Sequence, residues 1–413
     1  MTATNRALLL LAVFAVAALF VPGWVAVAGF ALVLVAIAVD LWMIRRAPRV
    51  ERSEPGLLWR GVPTTIRVET QTSISHQARQ PTGPSLIVTP AESVGSLEAE
   101  LVALRRGHHE LPPVSVTLSG PLGLGRWRHD VGEDLAVSVY PDMPAAYNLA
   151  EEVRHGRFID EGRRSRGPVG LGTEFESIRD YQPDDDIRQV NWKATARVGR
   201  PMSNVWRVEQ DREVICLLDA GRLMAAPLGD LTRLDAAVDV VAAMAAVADE
   251  IGDRIGVVVF SDHIMRHVKP ARDNGREAIH ALYDVQPSPA DSSYELAFRL
   301  VAGAKRSFLL ILTDLLDEGA AAPLLDAMGL LARHHSVTVA AVRDEDVYGA
   351  ATEFPTTRTD VFEMSSALDV LATRRRLVVR IERFGAQVVE SSVGSFSRAC
   401  VAAYMRSRRS ARI

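Results

Sequence analysis

The stretch Glu213-Val214-Ile215-Cys216-Leu217-Leu218, followed by Asp219-Ala220-Gly221-Arg222-Leu223, decides how the second half of the chain folds. Five consecutive apolar residues mark a strand buried on both faces, because a strand with one wet face alternates apolar and polar residues. Similar runs recur at Ile255–Phe260, Phe308–Leu312 and Val337–Val342. Helical patterns separate them: Leu231–Asp253, apolar at Leu234, Val238, Val241, Ala245 and Ala248, then Arg276–Tyr283, Tyr294–Ala304 and Ala322–His334. A helix over Ser366–Phe384, a strand over Ala386–Val389 and a helix over Phe396–Met405 complete the series. Buried strands alternating with helices predict a doubly wound α/β domain with a mostly parallel sheet over 213–413. Its basic end, Arg406, Arg408, Arg409 and Arg412, reads as a solvated tail or a contact for anionic lipid.

Ligands of open α/β sheets gather beyond the carboxyl ends of the strands. Asp219, Ser292, Ser293 and Asp314 fall there. This layout resembles a von Willebrand factor A domain, in which Asp-x-Ser-x-Ser, a Thr and an Asp hold Mg²⁺. Gly221 and Leu223 stand where that motif has its serines, and Arg222 brings a cation into the loop. Mg²⁺ demands near-octahedral oxygen ligation, so the site reads as degenerate. A metal-free fold with a partner surface is the expectation, with Mg²⁺ as the alternative cofactor.

Upstream, Gly170–Arg197 reads GLGTEFESIRDYQPDDDIRQVNWKATAR. Pro183 breaks the chain, and Asp184, Asp185 and Asp186 can accept the free amides of a helix start. Ile187, Val190 and Ala194 then recur at helical spacing, with Arg188, Lys193 and Arg197 on the polar faces. The pattern Arg179-x-Tyr181-x-x-Asp184-Asp185-Asp186-x-Arg188-x-x-Asn191-Trp192-Lys193-x-x-Ala196-Arg197 resembles a bacterial family known as domain of unknown function 58. Asp184 replaces that family's usual Gly and Asn191 its usual Asp. Arg163-Arg164-Ser165, Gly172-Thr173-Glu174-Phe175 and the turn Pro121-Leu122-Gly123-Leu124 also fit, which extends the resemblance over almost the whole chain. The family has no assigned reaction. Its relatives often stand beside MoxR-type AAA+ ATPases, so the resemblance implies a partner of that kind and a role in assembly or maturation.

Two readings of the signature stand side by side. In one, Asp185 and Asp186 cap the helix while Tyr181 and Trp192 pack it onto the sheet edge. In the other, Arg179, Arg188 and Arg197 form a docking face with the acidic turn.

Residues 55–141 carry short alternating runs, at Thr65–Glu69, Ser85–Thr89, Leu97–Leu101, Val114–Leu118 and Leu135–Val139. Gly, Pro and Ser clusters separate them, as in a small antiparallel β-sandwich. Arg105-Arg106-Gly107 reads as a hairpin tip; the adjacent His108 and His109 point to opposite faces and make a poor metal site. Residues 142–212 are expected to link the sandwich and carry the signature.

Between Ala7 and Val39 no residue is charged, and Pro22-Gly23 divides the run. Ala7–Val21 and Trp24–Ile44 therefore predict a transmembrane helical hairpin over 1–46, since crossing a bilayer takes about 20 apolar residues. A cleaved signal peptide ending near Ala26-x-Ala28 is the alternative. Arg45, Arg46, Arg49 and Arg52 place the remainder in the cytoplasm, by the rule that basic flanks stay inside. Asp40 is expected to snorkel or to pair with Arg45.

The net charge of -4 over 413 residues gives no reason to propose nucleic acid as a partner. Two cysteines, Cys216 and Cys400, sit in apolar surroundings and suit a reducing compartment. No phosphate loop, zinc spacing or nucleophile–base pair is present, so an enzyme is not expected. The sequence thus predicts a membrane-anchored cytosolic scaffold; the alternative is a metal-dependent ligand-binding or hydrolytic enzyme using Asp219 and Asp314.

Overall fold

A computed structural model describes residues 2–17, 19–20, 22–160, 163–164, 174–182, 189–207, 211–315 and 318–410. The chain forms two compact units, Met1–Tyr140 and Pro141–Ile413.

The first unit opens with helices α1 (Asn5–Ala17) and α2 (Gly23–Met43). α2 has 21 residues with a mean hydropathy of 2.4 over its most apolar window, of which only 17% is buried. Trp24, Val27, Leu32 and Trp42 all stand exposed. Its length suits the ~30 Å hydrocarbon layer, where an apolar surface of this kind is at home. α1 has 13 residues, about 20 Å at the helical rise. Among the described residues, α2 alone has spanning length; in the expected hairpin the first half, Ala7–Val21, is already marginal.

The strands of this unit build three sheets. Arg49–Arg52, Thr64–Gln71, Leu97–Ala103 and Leu86–Thr89 form one antiparallel sheet in that order. Thr2–Ala3, Gly125–Val131, Val114–Ser119, His76–Arg79 and Glu92–Val94 form a second, and Leu58–Trp59, Leu135–Tyr140 and Gly107–Leu111 a third. Strand geometry turns alternate residues inward, so Leu97, Ala99 and Leu101 enter the core while Glu98 and Glu100 face out. The expected hairpin at Arg105-Arg106-Gly107 is not one. The strand before it pairs in the first sheet and the strand after it in the third, so this segment carries the chain between sheets.

Asp40 overturns its expected role. Its carboxylate is fully buried and accepts the backbone N–H groups of Leu122 (2.9 Å), Leu124 (2.8 Å) and Gly125 (2.8 Å). A Cβ at Gly120 would lie 2.1 Å from the Asp40 carboxyl carbon, so only glycine lets the turn close over it. Arg45 instead lies over the Trp42 ring, 5.2 Å from its centroid. Just beyond α2, Ile44 joins the core of the sheets and its carbonyl accepts from His129 Nε2 at 2.8 Å.

In the second unit, residues expected to be a linker begin with helix α3 (Met143–Arg154). Its buried residues Met143, Ala146, Leu149, Ala150 and Val153 make one apolar stripe. A hairpin of Glu174–Asp180 and Met202–Arg207 encloses the short helix α4 (Trp192–Val198). Next come β1 (Glu213–Asp219), α5 (Arg233–Ile251), β2 (Arg254–Phe260), β3 (Ile264–Ala271), α6 (Gly275–His280) and α7 (Tyr294–Val301). Then follow β4 (Phe308–Leu312), α8 (Glu318–His334), β5 (Ser336–Val342), α9 (Glu345–Thr352), α10 (Arg358–Arg383), β6 (Gln387–Ser391) and α11 (Val393–Ser410).

The six strands lie in the order β3-β2-β1-β4-β5-β6. All neighbours run parallel except the edge strand β3, which is antiparallel to β2. Ile215, Leu217, Leu309, Ile311 and Val339 face one side and pack with Tyr294, Leu324, Met328 and Leu377 of α7, α8 and α10. Intervening residues turn to the other side, where α5 and α11 lie and the Phe308 and Tyr404 rings approach to 5.0 Å. Cys216 is among them, and burial raises its thiol pKa to about 12.

At the basic C-terminal end Arg408 is not part of a solvated tail. Arg408 is buried against Asp253, with Nε 3.0 Å and Nη2 3.2 Å from its carboxylate. Asp253 also accepts from Tyr404 OH and from Arg212 N at 3.1 Å. Burial pushes the Tyr404 hydroxyl well above its usual range, and the Asp253 charge adds to the effect.

Candidate site at the sheet switch point

From β1 the sheet grows through β2 to β3, then resumes on the other flank of β1 with β4. The carboxyl ends of β1 and β4 therefore border the switch point, the usual place for a ligand crevice. Asp219 is the last residue of β1, and Thr313 and Asp314 directly follow β4. Ser292 and Ser293 lead into α7, whose first residue is Tyr294.

Asp219 is buried, at 3% exposure, and both oxygens of its carboxylate accept from protein donors. Oδ1 accepts the Gly221 amide at 2.8 Å and the Ser292 hydroxyl. Oδ2 accepts the Thr313 hydroxyl at 2.6 Å. The Tyr294 hydroxyl, with a single proton, lies 3.1 Å from Oδ2 and 2.7 Å from Thr313 Oγ1. Burial raises the Tyr294 pKa, the Asp219 charge raises it further, and the phenol remains a donor across the physiological range. Gly221 is required here: a Cβ on it would come within 2.1 Å of Ser292 Oγ. The hydroxyl that a serine at 221 would place near Asp219 thus arrives from the α7 loop.

Asp314 faces a different neighbourhood. Its side chain is 3% exposed and pairs with Nη1 of Arg233, the first residue of α5. Arg374 Nη2 stands 4.0 Å from its other oxygen. Arg233 also donates to Asp344 Oδ2 at 2.8 Å, while Arg374 donates to Val342 O at 2.9 Å and pairs with Glu390. Ser293 makes no side-chain cap on α7; its amide donates to Ser261 O at 2.7 Å. Of the four residues expected to gather, Asp219 and Ser292 meet, whereas Asp314 is turned to the arginines.

This donor set does not fit Mg²⁺. A hard cation needs several free oxygen lone pairs in one octahedron, yet Asp219 already accepts from Gly221, Ser292 and Thr313 and Asp314 is held by guanidinium. Among the described residues no group of three or more His, Cys, Asp or Glu is arranged to hold a metal. An open cleft of about 340 Å³ is lined by Asp219, Ser292, Leu223, Tyr294, Gly319 and Pro323, with the exposed pair Arg222–Asp291 (3.0 Å) at its side.

The described signature residues lie elsewhere in this unit. Asp185, Asp186 and Arg188 fall outside the described residues. Trp192 is 69% exposed, which overturns its expected role as an anchor on the sheet edge. Hydrogen bonds hold α4 instead. Asn191 caps it by accepting the Ala194 amide at 2.9 Å and donates to Asn204 Oδ1 at 2.8 Å; Thr195 Oγ1 accepts the Met202 amide at 3.0 Å. Arg197 is exposed on α4, Arg179 is exposed on the hairpin strand, and Tyr181 is half-buried just beyond it.

Residues 177–357 match the family model described as protein of unknown function DUF58. The signature from Arg179 to Arg197 lies inside the DUF58 match; Arg163-Arg164-Ser165 and Pro121–Leu124 lie outside, so the match is narrower than the resemblance suggested. Uncharacterised proteins of Mycobacterium tuberculosis and Mycobacterium bovis are each 26% identical over 186 residues, 43% of this chain and 57% of theirs. The chain thus spans little more than half the length of these curated relatives. Among solved structures, proximal thread matrix protein 1 of the mussel byssus, with a zinc-occupied MIDAS motif, aligns at a TM-score of 0.29 and 12% identity. That alignment covers 48% of this chain and 46% of that one. An uncharacterised membrane-spanning protein from Vibrio fischeri aligns at a TM-score of 0.20 and 15% identity, over 48% of this chain and 98% of its own.

Sequence reasoning missed Tyr294, Thr313, Arg233 and Arg374. Tyr294 directly follows the serine pair and Thr313 directly precedes Asp314, so proximity was the available signal. The arginines gave none, because burial of a charge depends on partners distant in sequence.

Proposed function

We propose that the protein is a membrane-anchored scaffold whose second unit, a von Willebrand factor A-like domain, docks a MoxR-type AAA+ ATPase during protein assembly or maturation. The capping of Asp219 supports this reading best: among the described residues, the carboxylate at the end of β1 already accepts from Gly221, Ser292 and Thr313. Exposed Trp192 and Arg197 on α4 then supply the docking face; Trp and Arg are the residue types that dominate binding hot spots. Trp192→Ala and Arg197→Ala should leave melting almost unchanged, within about 0.5 kcal/mol, as exposed positions do. Each should weaken capture of the ATPase in a pull-down by roughly tenfold, about 1.4 kcal/mol. Full-strength capture by both variants would exclude docking through α4.

The anchor is α1 with α2, inserted as a pair whose two ends return to one side, with Arg45, Arg46 and Arg49 on the cytoplasmic face. The bulk of the chain is then cytoplasmic. A reporter fused after Ile413 should read as cytoplasmic, and a periplasmic signal would sink this orientation.

A further inference from the structure

The Arg233 guanidinium is 6% exposed, yet it sits at the first position of α5. A cation there opposes the helix dipole, and its desolvation is costly unless opposite charges meet it. They do. Arg233 binds Asp314 after β4 and Asp344 after β5; Arg374 stands across Asp314 and reaches Val342 O and Glu390 of β6. Three carboxylates from the ends of three strands are thereby tied through two arginines, one from α5 and one from α10. Beside this cluster lies a void of about 10 Å³, lined by Arg233, Asp314, Thr313 and apolar side chains, room for one water at most.

We propose that Arg233 is the resident cation of the switch point: its guanidinium supplies the positive charge that holds Asp314 and Asp344, and the unit folds without a divalent ion. The chain's own choice of residues follows the same logic on both sides of β1. Gly221 yields its place to the Ser292 hydroxyl, and Arg233 stands beside the carboxylate that would otherwise call for a metal.

The test uses the full chain in detergent, with thermal melting read by circular dichroism in EDTA and in millimolar Mn²⁺. The wild type should melt at the same temperature in both. Arg233→Ala should melt roughly 10 °C lower in EDTA, as expected when one partner of a buried ion pair is lost. Mn²⁺ should recover several degrees of that loss, because Asp314 and Asp344 then face a space the size of the missing guanidinium, and Mn²⁺ paramagnetic resonance should report the bound ion. A wild type that gains several degrees from Mn²⁺ overturns the proposal, as does an Arg233→Ala variant that melts like wild type. A variant that melts lower but ignores Mn²⁺ also overturns it. Should Arg233→Ala fail to fold, Arg233→Lys decides: folding with no response to Mn²⁺ supports the proposal, and a gain from Mn²⁺ overturns it.

Discussion

Asp253→Ala should lower the stability of the Pro141–Ile413 unit by about 3–5 kcal/mol, the range for breaking a buried ion pair by removing one partner. The carboxylate is fully buried and serves Arg408, the Tyr404 hydroxyl and the Arg212 amide. Its loss takes from Arg408 the carboxylate it pairs with, and from the Tyr404 hydroxyl and the Arg212 amide the acceptor they share. Arg408 and Tyr404 both belong to α11, so the effect concentrates on the docking of that helix against α5 and the sheet. Tyr404→Phe removes one donor and leaves Asp253 its other partners; it should cost about 1 kcal/mol, a typical net hydrogen bond. Melting of the detergent-solubilised chain measures both. Equal melting of Asp253→Ala and Tyr404→Phe would show that the Arg408 pair contributes nothing.

Asp40→Ala should free the turn that holds the end of α2. The amides of Leu122, Leu124 and Gly125 lose their acceptor at once. Each unsatisfied buried donor costs about 1–3 kcal/mol, so a local loss of about 3 kcal/mol is a conservative expectation. That corresponds to roughly a hundredfold faster hydrogen exchange at these three amides. Asp40→Asn keeps one acceptor oxygen and should fall between. Unchanged exchange in Asp40→Ala would mean that the turn is ordered without the carboxylate.

The second unit was largely legible because its strands are buried on both faces and announce themselves as unbroken apolar runs. Glu213–Leu218 and Phe308–Leu312 needed almost no adjustment. The edge strand β3 was not seen. Its sequence, IMRHVKPA, alternates poorly and carries Arg266, Lys269 and Pro270, residues that suit an edge and disguise a strand. α3 runs into a charged segment, and its apolar stripe is only five residues long. The α4 cap is Asn191, whose side chain answers to Asn204 across the hairpin, while the helix start expected at the aspartates lies outside the described residues. Trp192 was misjudged for a similar reason: a tryptophan in a dense motif implies burial only when a partner surface in the same chain covers it. At the candidate site, Asp219, Ser292 and Asp314 were readable from strand ends, whereas the pairing of Asp314 with Arg233 joins residues 81 positions apart and leaves no local trace.

The turn Gly120–Gly125 is gripped from two directions. Asp40 holds its amides near the far end of α2, and Thr4, just before α1, donates its hydroxyl to Gly123 O at 2.7 Å while Thr2–Ala3 pairs with Gly125 and Arg126. A single attachment would act as a swivel; two on one turn act as a bracket. A tilt of the apolar pair is therefore delivered to the strands as rotation rather than absorbed in a flexible joint.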